Sequence, residues 1–460
     1  MDFGSTPSTE EGSSNNGLSR TEGPYKRPGF ASSLTTVFGT QVACATLSLV
    51  LEMTYARFLG PSGRGQLSLC LIVVSIAEML GGFGGEFPIT IWSANQRMRP
   101  SEWLPAMVSC GVVGASLSDA LWAMVYWSWH PLFLKGITPT LARILLVMIP
   151  VAILTSYALA LATGCERFIS RAAATIANQA AALVSAAVLL GMVLRSAEAG
   201  LISILLGFAV AGGIVVVLLR DFLFRPWQFS QAPKYVMSAL GLGARILPAN
   251  MATFFNYRLD VFIVNYFLDP KHVGLYAVGV LVSEAVWQIP KVVAVPLLPR
   301  TARTAEERDS VFACAVMRQV LTTVCIAGLG IAALSPVVVP FVFGQAFRES
   351  VSVIWWILPG TMALALGKVV AADLGGRGKP EYASIFSVVA LAVTVILDLT
   401  LVPRMGIEGA ALASSIAYFS NAALITVAFK RELKVSWVSI LRPSATDFAF
   451  YRQAWQRMFS

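Results

Sequence analysis

Charge is scarce in this chain. Asp, Glu, Lys and Arg make up 13% of the 460 residues, against about a quarter in an ordinary soluble domain. With 56% apolar residues and a mean hydropathy of +0.71, this excludes a normally solvated globule and points to an integral membrane protein. Histidine is nearly missing: His130 and His272 are the only two and lie far apart, which argues against a histidine metal centre. The six cysteines (Cys44, Cys70, Cys110, Cys165, Cys314 and Cys325) are scattered without a CxxC pair and read as small core residues. No connection is long enough for a folded extramembrane domain, which argues against a membrane glycosyltransferase or polymerase with a catalytic loop. An apolar core is also lacking from the first 28 residues, "MDFGSTPSTEEGSSNNGLSRTEGPYKRP". They are rich in Ser, Gly, Thr and Glu and read as a disordered tail rather than a signal peptide.

What is present is a series of apolar runs of about 20 residues, the length that crosses roughly 30 Å of hydrocarbon. Twelve spans are expected, at 30–53, 66–93, 104–128, 141–164, 170–194, 199–219, 236–267, 272–296, 312–341, 349–372, 381–403 and 406–429. All should be helices, since the runs are too long and too continuously apolar for barrel strands. With the N-terminus inside, the inner connections and tails carry 21 Lys and Arg against 8 on the other side, a positive-inside bias that places both termini in the cytoplasm. The net charge of +9 then reflects loops facing anionic lipid, and no nucleic-acid partner is expected. The tail "TDFAFYRQAWQRMFS" has Phe448, Tyr451, Trp455 and Met458 at helical spacing and reads either as an interfacial helix or as an ordinary polar tail.

The chain also repeats itself. "FLGPSGRGQLSL" (58–69) and "FLDPKHVGLYAV" (267–278) share Phe58/Phe267, Leu59/Leu268, Pro61/Pro270 and Gly65/Gly274 at an offset of 209. That offset equals six spans. It divides the chain into a tail (1–28), a first six-helix lobe (29–225), a second (226–430) and a C-terminal tail (431–460). An even number of spans separates the copies, so the halves should be related by an axis along the membrane normal.

These residues resemble a family. "ARFLGPSGRGQLSL" (56–69), "YRLDVFIVNYFLDPKHVGLYAVGVLVSE" (257–284), "GRGKP" (376–380) and "GIEGAALASSIAYF" (406–419) are similar, in order, to segments of the polysaccharide transporters (Wzx-like flippases) of the MOP exporter superfamily. The resemblance implies an all-α, V-shaped pair of six-helix lobes working by alternating access. It implies a lipid-linked oligosaccharide substrate on undecaprenyl diphosphate, carried across the plasma membrane for surface polysaccharide. A polysaccharide polymerase and a chain-length regulator would be its partners. No enzymatic activity and no cofactor are expected, beyond coupling to H+ or Na+. The tail after residue 430 is too short and polar for the two extra helices of peptidoglycan-precursor flippases, which argues against a cell-wall lipid.

Ionisable groups inside a span must face a cavity or a partner. Glu78, Asp119, Arg258, Asp260 and Glu284 fall near the midplane, and Arg245, Lys291, Arg318 and Lys368 form a cationic inner set in the second lobe. Arg258 and Asp260 are two apart, so they point to different sides of a helix and each needs another partner. Arg258 is either a bidentate diphosphate ligand or one half of a structural pair with Glu284. The inner cations either collect the diphosphate or snorkel to the interface. Glu78, Asp119, Asp260 and Glu284 are candidates for ion coupling or for structural pairing. A cation-coupled multidrug or metabolite antiporter of the same superfamily is the second functional reading, and a membrane glycosyltransferase the third.

Overall fold

The computed structural model describes residues 30–95, 98–223, 226–291, 293 and 307–442. The N-terminal tail and the expected interfacial helix at the C-terminus lie outside them. No strand is found among the described residues. In chain order the helices are α1 (Phe30–Gly81), α2 (Glu86–Ala94), α3 (Pro100–Phe133), α4 (Pro139–Gly164), α5 (Phe168–Val188) and α6 (Ala197–Leu218). They continue as α7 (Ala232–Phe267), α8 (Pro270–Glu284), α9 (Glu307–Phe343), α10 (Ser350–Gly376), α11 (Glu381–Met405), α12 (Ile407–Leu433) and the short α13 (Trp437–Leu441).

Among the described residues, ten helical stretches are long and apolar enough to cross a membrane. The first covers 43 residues, Gly39–Gly81, about 65 Å at 1.5 Å per residue. It is two crossings joined at Gly60, whose φ of 65° belongs to the left-handed region that glycine enters without penalty. The expected turn spanned residues 54–65; it is in fact one residue wide, so Arg57 and Arg64 lie within helix rather than in a loop. α7 is long enough to cross but too polar to count by hydropathy, because it carries Asn250, Asn256, Arg258, Asp260 and Asn265. Its buried polar residues face protein instead. Counting both limbs of α1 and counting α7 gives the expected twelve crossings among the described residues.

Local sequence explains several helix starts. Thr138 accepts a hydrogen bond from the Leu141 amide (3.2 Å) and Asp269 one from the His272 amide (3.0 Å). In both cases a proline follows as the first helical residue, where its missing N–H costs nothing. Burial alone would raise the Asp269 carboxyl, but the hydrogen bonds from the His272 amide and ring outweigh it and hold the group below its ordinary value.

The helices form two bundles. In the first, α6 packs on α4 and α5, and α1 on α3, α4 and α5; in the second, α12 packs on α10 and α11, α7 on α11, and α10 on α8 and α9. The bundles meet where α1 crosses α8 and α3 runs beside α7.

Candidate functional site

The crossing of α1 and α8 is built from the internal repeat. A Cβ on Gly65 would overlap the Pro270 carbonyl, and a Cβ on Gly274 would overlap the Pro61 carbonyl. The two copies thus exchange the same contact about a pseudo-two-fold axis, with backbones as close as small residues allow. Two cations of the first bundle reinforce this end of the seam, the turn end. Arg57 Nε donates to the Val342 carbonyl at 2.8 Å, with a second bond to the Phe341 carbonyl. Lys135 Nζ donates to the Tyr266 carbonyl at 2.7 Å. All three acceptors are last-turn carbonyls, two of α9 and one of α7, where a cation is favoured by the helix dipole.

Below the crossing lies a cavity of about 190 Å³ lined by Glu52, Arg64 and Ser68 of α1, Arg258 and Asp260 of α7, and Tyr276 and Glu284 of α8. It is too small for an oligosaccharide, since ligand pockets are usually several hundred Å³. Both of its guanidinium groups are paired. Arg258 and Glu284 form a fork-to-fork ion pair with N–O distances of 2.9 and 3.0 Å, the strong bidentate form. Arg258 remains 35% exposed and Glu284 16%. Arg64, almost fully buried, pairs with Glu52 at 2.6 Å and also donates to Ser68.

Asp260 turns away from Arg258, into the second bundle. It accepts from the Tyr276 hydroxyl, from Ser414 Oγ at 3.1 Å and from the Val261 amide at 2.8 Å. Asp398 of α11 lies in the electrostatic field of Asp260. It is fully buried, and neither of its oxygens has a hydrogen-bond partner among the described residues. Asn256 accepts from Thr394 at 3.3 Å nearby on α7 and α11. A buried carboxylate with no donor is costly if ionised, so this cluster suits a proton or a small cation.

A second cavity, of about 530 Å³, opens at the far end of the seam. Its polar lining is Ser75, Glu78, Glu86, Thr90 and Asn250, so it is acidic. Glu78 and Glu284 therefore serve separate cavities, although the repeat places them in related positions. Of the predicted inner cations, Arg245, Lys291, Arg318 and Lys368 line neither cavity. Arg245 and Lys291 are exposed, and Arg318 donates to the Ser439 carbonyl of α13 at 2.6 Å. Lys368 sits on the rings of Tyr257 and Trp287, 4.8 and 4.2 Å from their centroids. Asp119 lies on α3 with one carboxylate oxygen buried and without a hydrogen-bond partner among the described residues. No cluster of three or more His, Cys, Asp or Glu that could hold a metal occurs among the described residues.

The Glu52–Arg64 pair and Asp398 do not stand out in the sequence. The signal for the pair is a twelve-residue spacing across a turn only one residue wide. For Asp398 it is a lone acid in the apolar run "AVTVILDLTLVP".

Two six-helix bundles meeting at a pseudo-two-fold seam, with charges enclosed between them, define the fold of a MOP-type membrane transporter. The chain superposes on the lipid II flippase MurJ in an inward closed conformation with a TM-score of 0.66, at 14% identity, over 92% of this chain and 93% of that one. It superposes on the eukaryotic MATE transporter AtDTX14 with a TM-score of 0.63, at 11% identity, over 88% and 97%. The protein is a multi-pass plasma-membrane protein, and over residues 32–304 it matches, and belongs to, the polysaccharide biosynthesis protein family. A Haloferax volcanii protein described as a probable low-salt glycan biosynthesis flippase, Agl15, is 25% identical over 182 residues, which span 38% of each chain.

Proposed function

We propose that the protein is a flippase that carries an oligosaccharide on undecaprenyl diphosphate from the inner to the outer leaflet, for surface polysaccharide assembly. Family membership and the flippase description of the Haloferax relative support the transport class. The observation that carries the substrate class is Arg258: a partly exposed guanidinium facing the cavity on the seam, with the bidentate geometry that phosphate oxygens match. The positive-inside bias puts the turn end outside and the Glu78 cavity on the cytoplasmic side. The 190 Å³ cavity must then widen by separation of the bundles to admit a headgroup. Asp260 and Asp398 take the coupling proton or Na+, in the buried cluster next to the Arg258 pair. A polymerase and a chain-length regulator act on the delivered repeat unit.

The acidic lining of the far cavity favours a second reading, a cation-coupled antiporter for a cationic cargo. The two are separated by reconstitution in liposomes with a defined lipid-linked oligosaccharide and with a lipophilic cation. Arg258→Ala should cut flipping of the lipid-linked sugar about 100-fold, in keeping with a lost bidentate anchor, while the protein still inserts. Flipping at the wild-type rate would remove Arg258 from the mechanism. Efflux of the cation without flipping would favour the antiporter.

A further inference from the structure

The cavity below the crossing carries two guanidinium groups, Arg64 and Arg258, against three carboxylates, Glu52, Asp260 and Glu284. Each guanidinium already holds a carboxylate. An anion entering here meets no spare positive charge. If it takes Arg258, Glu284 is left unpaired in a water-poor site, and that loss cancels much of the gain.

One further cation stands beside the pair. Lys368 of α10 projects its ammonium onto Trp287 and Tyr257, 4.2 and 4.8 Å from the ring centroids, with the Tyr257 hydroxyl at 3.3 Å. Among the described residues no carboxylate lies within ion-pair distance of it. Tyr257 immediately precedes Arg258, and Trp287 is one helical turn beyond Glu284. The ammonium is therefore seated on the neighbours of both members of the pair, and Glu284 acts on it electrostatically. Its seat is closed by Tyr418: the rings of Tyr257, Trp287 and Tyr418 form a triangle with centroids 5.2, 5.8 and 5.8 Å apart. Ring faces, not a counterion, hold the charge. Glu284 is also the last residue of α8. The backbone tightens to a 3-10 turn at Ala285–Trp287, a place where helices commonly flex.

We propose that Glu284 exchanges cations. When a diphosphate takes the two donors of Arg258, the Glu284 carboxylate moves from Arg258 to Lys368. Arg258 and Glu284 then each face an opposite charge both with and without substrate, and Lys368 is a positioning residue for the anion rather than its ligand. A lysine suits this role because its ammonium is a compact charge on a flexible stem, free to leave the ring faces. The exchange rests on the flippase reading, because it needs a diphosphate at Arg258.

The test is a binding cycle on the full chain in lipid nanodiscs, with geranylgeranyl diphosphate and inorganic pyrophosphate as probes. The variants are Lys368→Met, Lys368→Arg, Glu284→Gln and the double Glu284→Gln/Lys368→Met, each checked for an unchanged melting curve. Lys368→Met should weaken binding about tenfold, Lys368→Arg should restore it, and Glu284→Gln should tighten it about threefold; in the Glu284→Gln background the methionine change should cost nothing. The same pattern with the lipid probe only supports the exchange and assigns the anion to a lipid; with both probes it supports the exchange and makes the diphosphate sufficient. A tenfold loss that persists without the Glu284 charge overturns the exchange, since Lys368 would then touch the anion itself. So does a Lys368→Met variant that binds like wild type while Arg258→Ala does not bind, and in that case the diphosphate site survives. Failure of the wild-type protein to bind either probe sinks the diphosphate reading, and the exchange with it.

Discussion

At the turn end of the seam the two copies of the repeat do the same thing with the same atoms. Gly65 admits the Pro270 carbonyl, and Gly274 admits the Pro61 carbonyl. A little deeper the likeness stops. Shifted back by the repeat offset, Arg258, Asp260 and Glu284 fall on Leu49, Leu51 and Ser75, while Lys368 and Asp398 fall on Leu159 and Leu189. A contact on a two-fold axis is made once by each side, so its residues must occur twice. A site for one anion or one cation has no such requirement. The comparison separates residues that close the two bundles on each other from residues that recognise cargo. Under the proposed function, recognition falls to α7, α8, α10 and α11.

The largest effects should come from the shared contact. Gly65→Ala and Gly274→Ala each drive a methyl group into a backbone carbonyl that cannot step aside, a strain of roughly 1–3 kcal/mol. Both should part the turn end, read as a longer distance between spin labels placed on the two bundles. Because the contact is reciprocal, the two shifts should be alike; a shift in one variant alone would break the symmetry argument. A smaller effect, of opposite sign, is expected from the unshared region. Asp398→Asn removes a buried carboxyl without a donor and should stabilise the protein by about 1 kcal/mol in thermal unfolding without added Na+, while abolishing cation dependence. A loss of stability would mean that the carboxylate is held by a bound ion. The smallest effect concerns the two turns. Gly60 makes its turn through a positive φ, whereas Asp269, at the equivalent place, caps α8. The Asp269 carboxyl titrates below its ordinary value when folded, so its contribution is present above about pH 4 and fades as the pH falls through the folded value. Asp269→Asn should therefore melt lower than wild type at neutral pH and match it in acid. A difference independent of pH would assign the cap to geometry alone.

Much of this architecture is legible from residues. Apolar run length marks the crossings. The FLxP…G repeat marks the halves, and the spacing of Arg258 and Asp260 requires two different partners, one of which is Glu284. Other features are hidden for definite reasons. "GPSGRG" contains three glycines and a proline and suggests a broad loop, yet Gly60 alone reverses the chain, so Arg64 ends up inside a helix beside Glu52. The partners of Asp260 are Tyr276 and Ser414, neutral groups that a search for charges passes over. Asp398 looks like a lone acid near a span end, and only the packing of α11 on α7 brings it to Asp260. Arg318 has the depth of an inner cation, but its reach to α13 depends on how the chain folds back after α12.

The α1–α8 crossing has a mechanical consequence. Its closest approach is glycine to carbonyl, and it sits within two turns of the start of α8 and of the second limb of α1. Any rocking of the bundles that keeps this contact uses it as a fulcrum placed near the end of a lever. The long arm, from Gly274 to Lys291, is about 25 Å. A tilt of about 10° would leave the fulcrum in place and swing the other end by about 4 Å, so small angles at the glycines become an opening on the opposite face.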